Sequence, residues 1–137
     1  MISSKTDRQP LVGVRSDRAP EPVGPYSQAI SHGTWLFASG QIPIHPSTGK
    51  IVIGDVETQT EQVIANLAAI LDAGGSSLDG VVRTTVYLTD LSLFSRVNAV
   101  YGKFFCGDPA PARSTVEVSA LPLGAAVEID AIAITGL

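Results

Sequence analysis

The chain has 137 residues, the size of one ordinary domain. Hydrophobic residues make up 45% and charged residues 16%, at a net charge of −4, so a real core is available and a disordered chain is excluded. The negative balance argues against nucleic acid and anionic membranes as partners, which attract basic surfaces, and no apolar run approaches the ~20 residues of a membrane span.

Residues 1–18 read as a flexible extension ahead of a single domain at 19–137. The extension lacks the apolar stretch of a secretory leader. It carries Lys5, Arg8, Arg15 and Arg18, but Asp7, Asp17, Pro10 and Gly13 weigh against an amphipathic targeting helix, so a cytoplasmic location is expected. "PEPVGPYSQAI" is a Pro/Gly-rich turn passing into a strand. His32-Gly33 offers a hairpin turn, and "TWLFASGQIPI" continues as a second strand before the turn cluster "HPSTGK".

Val56, Thr60, Val63, Leu67 and Ile70 then recur every three or four residues, with Ile64, Ala68 and Leu71 widening the stripe. Asp55 suits the N-cap of this helix and Gly74 the position just past its end. "DGVVRTTVYLTD" is a β-branched strand. Asp90 caps a second helix, whose stripe is Phe94, Val97, Tyr101 and Phe104 or Phe105. "GDPAPA" breaks that helix, and two strands joined by "PLG" finish the chain.

The order ββ-α-β-α-ββ predicts an α+β fold: a two-layer sandwich of a mixed sheet with both helices on one face. The strands hold apolar residues on both parities: Val127 and Ile129, then Ile132 and Ile134. Helices cover one sheet face, so the other is expected to meet further subunits.

Few residues offer chemistry. The one cysteine, Cys106, excludes an internal disulfide and reads as a small buried hydrophobe after an aromatic helix. His32 and His45 have no metal-ligand spacing, no phosphate-cradling glycine motif is present, and no metal or cofactor is expected. Arg113 opens a strand and has two readings: an ion pair to Glu128 or Asp130 on a neighbouring strand, or a bidentate clamp for a substrate carboxylate. Glu128, in an apolar strand, either faces water or enters a cleft where desolvation suits it to proton transfer. Tyr26 and Asn98 have bland alternatives as packing and solvated residues, and Gly40, beside Ser39, marks a bulge or a point where a ligand reaches the backbone.

Together "GPYSQAI", "SGQIP", "RTTVYLTDL", "VNAVYGKFF" and "PARSTVEVSALPLGAAVEIDAIA" resemble the RidA family, also called YjgF, over about Ala19 to Ile134. The resemblance implies a trimeric chorismate-mutase-like fold and a homotrimer with clefts between subunits. It implies hydrolytic deamination of reactive 2-enamino and 2-imino acids, such as 2-aminoacrylate/2-iminopropanoate and 2-iminobutanoate, to 2-keto acids and ammonia. By the same resemblance Arg113 binds the substrate carboxylate, Gly40 offers backbone contact beside it with Ser39 adjacent in the substrate-binding set, and Tyr26 closes the cleft. Asn98 shapes the pocket, and Glu128 positions water or moves a proton.

Thr115 departs from the cysteine common at that position in the family, so thiolate chemistry is not expected here. Three other functions stay open: a deaminase for another enamine acid from pyrimidine or aromatic breakdown, a non-enzymatic ligand-binding or chaperone-like role, and a ribonuclease role. The last is weakest, given the net charge and the lack of a paired-histidine site.

Overall fold

A computed structural model describes residues 9–136. The elements run β1 (Val12–Val14), β2 (Ala29–His32), β3 (Trp35–Gln41), α1 (Val56–Ala73), β4 (Val81–Leu88), α2 (Phe94–Phe104), β5 (Ala112–Glu117) and β6 (Val127–Ile134), with single 3-10 turns at Leu78–Gly80, Leu91–Leu93 and Pro122–Gly124. Six strands form one mixed sheet in the order β1-β2-β3-β6-β4-β5. Both helices pack on one face, as expected from the alternation of strands and helices. No helix among the described residues is long and apolar enough to cross a membrane.

Local chemistry explains the elements. Gly33, at φ 60, opens the two-residue loop between His32 and Trp35, a conformation glycine adopts without a Cβ penalty. The Asp55 carboxylate accepts from the Thr58 backbone N–H at 2.9 Å and starts α1 as its N-cap. At the other end the glycine roles shift by one residue. Gly75 takes the left-handed conformation (φ 83) that was expected of Gly74. Gly74 is small for another reason: a Cβ there would stand 2.6 Å from Leu36 Cδ2. Asp90 accepts from the Ser92 backbone N–H at 3.0 Å, capping the 3-10 turn that runs into α2.

Strand β6 is the spine of the sheet, antiparallel to both β3 and β4. Val127, Ile129, Ala131 and Ala133 point to the helices, and Glu128, Asp130, Ile132 and Ile134 to the open face, in unbroken alternation. The apparent change of parity in the sequence is a change of size. Small alanines meet α1, and isoleucines stand outside with Phe37 and Trp35, their register partners on β3. Trp35 and Phe37 remain 46% and 45% exposed, so one chain leaves an apolar patch on the open face.

Three expectations need correction. The segment read as a flexible extension is part of the sheet from Val12, because β1 pairs with β2; residues 1–8 lie outside the described residues. Buried Gln28 secures it, accepting from the Ser16 backbone N–H at 2.6 Å and donating to the Pro20 carbonyl at 2.8 Å. Cys106 is exposed: Phe105 takes the last core position, stacked on Tyr101, and Cys106 begins the following loop. The two final strands are not neighbours, since β5 pairs in parallel with β4 while β6 lies on the other side of β4. A β4-α2-β5 crossover makes this parallel pairing possible.

Candidate active site

The expected site residues fall into two groups on opposite faces of the sheet. Arg113 is level with Thr84 of β4, which is level with Ala131 of β6; all three point to the helix side. Glu128 is three positions from Ala131, so alternation turns it to the open face. Two strand spacings also separate β5 from β6, about 10 Å across the sheet. The proposed ion pair from Arg113 to Glu128 or Asp130 therefore does not form.

The first group gathers where β5 meets α2. The Arg113 guanidinium lies 4.7 Å from the centre of the Tyr101 ring and 5.6 Å from that of Phe94. Both distances are within range of attraction between a cation and an aromatic face. Asn98 lies one turn from Phe94 and one from Tyr101, on the same helix face. Thr115 follows Arg113 on the same side of β5, level with Val86 and Ile129, and is partly buried. Among the described residues no carboxylate lies within ion-pair distance of Arg113. The fork is backed by aromatic faces and free of acidic partners among the described residues, as a site for an external carboxylate requires.

The second group lies at the β3–β6 junction. The pairing is irregular between Ala38 and Gln41, and Gly40 sits in that irregularity. A Cβ at Gly40 would stand 2.6 Å from Glu128 Oε2 and 2.9 Å from its Cδ. The absence of a side chain at Gly40 thus leaves the space that the Glu128 carboxyl occupies, and a Cβ there would force the acid to move. Burial pushes the Glu128 carboxyl above the usual carboxylate range, and the charge of Asp130 adds to the effect. A half-buried acid that holds its proton more tightly is suited to proton transfer.

Ser39 donates its hydroxyl to the Ser27 carbonyl at 2.6 Å, which ties β3 to the loop carrying Tyr26. Tyr26 and Gly40 line one small cleft with Pro22, Gln28 and Gln41. Tyr26 is 47% exposed, and its hydroxyl accepts from the Val23 backbone N–H at 3.2 Å.

Sequence reasoning missed Asn66. It is buried in α1, donating to the Ile42 and Ile44 carbonyls at 3.3 and 2.9 Å and accepting from Gln62 at 2.9 Å. It fixes the chain just after Gly40 and Gln41. The available signal was a polar residue inside the apolar stripe of α1.

A family model described as Endoribonuclease L-PSP matches residues 16–135. The chain belongs to this family, the RidA/YjgF family. Reactive Intermediate Deaminase A of Arabidopsis thaliana, a chloroplastic protein, is 49% identical over 120 residues, covering 88% of this chain and 64% of its own. The solved structure of YyfA, a Rid-family protein of Yersinia pestis, is 48% identical with a TM-score of 0.89, covering 92% of this chain and all of its own. Escherichia coli TdcF, solved with bound serine, is 40% identical with a TM-score of 0.85, covering 91% and 99%. The RidA-type fold expected from the sequence is therefore present.

Proposed function

We propose that this chain is a hydrolytic deaminase of small 2-imino and 2-enamino acids, including 2-iminopropanoate and 2-iminobutanoate, that works as a homotrimer. The observation that carries this reading is the separation of its two half-sites. A fork free of acidic partners among the described residues, Arg113, sits on one face. A desolvated acid, Glu128, sits on the other. One chain does not bring them to one substrate. Two copies do so if the helix-side half of one adjoins the open-face half of the next. The exposed apolar pairs Trp35–Ile134 and Phe37–Ile132 supply surface for such an assembly. The Arabidopsis relative's name supports the reaction class, and the serine in TdcF is an acid of the right size.

In this mechanism Arg113 takes the substrate carboxylate in two charge-assisted hydrogen bonds. Asn98 and Thr115 line its side of the cleft, while Tyr26, Ser39 and Gly40 line the other. Glu128 accepts a proton as water adds to the imine carbon, forming the C–O bond. It then returns that proton to the nitrogen and takes up the proton of the new hydroxyl as the C=O bond forms and the C–N bond breaks; the 2-keto acid leaves, and ammonia carries the last proton away as ammonium. An iminium carbon is already electrophilic, so orientation and proton transfer suffice, and a threonine at 115 is compatible with the reaction.

The direct test is a coupled assay. A threonine dehydratase generates 2-iminobutanoate, and its decay is followed with and without the protein. Faster decay with stoichiometric ammonia supports the reading; an unchanged rate overturns it. A panel of imines made by amino acid oxidases then sets this substrate class against other enamine acids.

A further inference from the structure

Arg113 has a long, flexible side chain, and a bidentate clamp works only when its plane is held. A closed set of contacts holds it. The Arg113 backbone pairs with Thr84 on the neighbouring strand. The Thr84 hydroxyl, fully buried, is 2.7 Å from the Tyr101 hydroxyl. The Tyr101 ring in turn lies beneath the Arg113 guanidinium at 4.7 Å.

Tyr101 is itself immobilised. It is 7% exposed and stacks on Phe105 with ring centres 4.3 Å apart. Burial pushes its phenol above the ordinary range, and its hydroxyl is engaged with Thr84, so it is not placed to move protons. Phe94, two turns earlier on the same helix face, supplies the outer part of the surface.

We propose that Tyr101, anchored by Thr84 and assisted by Phe94, is a positioning residue that sets the plane of the Arg113 guanidinium for a substrate carboxylate. The proposal rests on the carboxylate-clamp reading above and assigns its supporting shell. Tyr101 acts through Arg113, so its effect should vanish when the guanidinium is gone. A residue needed only for packing would show no such dependence.

The experiment measures 2-oxobutanoate binding to the full chain by calorimetry, for wild type, Tyr101→Leu, Tyr101→Phe, Phe94→Leu, Arg113→Ala, and Arg113→Ala combined with each leucine change. Tyr101→Leu should weaken binding about 3- to 30-fold, the range of a cation–aromatic contact. Tyr101→Phe keeps the face and should recover most of that loss. Phe94→Leu should lose less than Tyr101→Leu. Neither leucine change should alter the residual affinity of Arg113→Ala.

Wild-type affinity in Tyr101→Leu, an equal loss in the Arg113→Ala background, or no binding by the wild type would each overturn the proposal. Phe94 is partly exposed, so its variant decides the matter through the same cycle if Tyr101→Leu does not fold. The imine-decay assay is run in parallel. Binding that follows the expected pattern without accelerated decay would sink the deaminase reading and leave the positioning role standing.

Discussion

Gly40 and Glu128 compete for one space: the position a Cβ would take at residue 40 lies 2.6 Å from the Glu128 carboxylate oxygen. Gly40→Ala should therefore displace the acid, since the alternative is to push apart two strands joined in the sheet. We expect its deaminase activity to fall at least as far as that of Glu128→Gln, with the oligomer retained. Near-normal kcat/KM in Gly40→Ala would mean that the Glu128 carboxyl is free to take another rotamer and still react.

The raised pKa of Glu128 has a definite sign for stability. The folded chain holds the proton more tightly than the unfolded chain, so Glu128 favours folding at low pH. That contribution is lost as pH rises from the ordinary carboxylate range through the higher folded value. Glu128→Gln should flatten this part of the curve, read as the urea midpoint at several pH values between 4 and 8. An unchanged slope would place the carboxyl in water.

Arg113→Lys keeps the charge and loses the planar fork. In a desolvated cleft, losing a charged hydrogen-bond partner costs roughly 2–5 kcal/mol, or about 30- to several-thousand-fold in kcat/KM. Light scattering should show the same assembly in Arg113→Lys, Arg113→Ala and the wild type, with a trimer mass in each. Activity near wild type in Arg113→Ala would refute the clamp, and a stable monomer at micromolar concentration would remove the shared cleft.

Thr115 follows the guanidinium along β5, on the same side of the strand. Both Thr115→Ala and Thr115→Cys should keep much of the activity, because the side chain is placed to touch ligand and not to attack it. A loss in Thr115→Ala as large as in Arg113→Ala, measured as single-turnover imine decay, would assign this hydroxyl a chemical step.

The N-terminal boundary can be tested by two deletions. Removing residues 1–8 leaves β1 and the Gln28 hydrogen bonds to Ser16 and Pro20 in place, so the urea midpoint should stay well above that of a longer deletion. Removing residues 1–18 strips β1 from β2 and takes away Ser16, leaving the Gln28 amide, 3% exposed, short of partners. An orphaned buried polar group costs about 1–3 kcal/mol, so the longer deletion should unfold at lower urea. Equal midpoints would show that β1 adds nothing to the sheet.

What short-range chemistry controls is legible in the order of the amino acids. Both helices, the acidic cap of α1 and five of the six strands follow from spacing and from residues whose preferences act within a few positions; Asp90 caps the 3-10 turn before α2 rather than α2 itself. So does the apolar surplus on the open face, because alternation counts both parities of a strand. Five ordered motifs carried the family resemblance. Strand order was decided only by tertiary structure. The insertion of β6 between β3 and β4 joins residues far apart in the chain, and no local pattern encodes it. That order separated Arg113 from Glu128 and put Arg113 over Tyr101. β1 was hidden for a related reason: three residues around Gly13 show no period, and what holds them is β2 and the side chain of Gln28, which only the folded chain brings alongside.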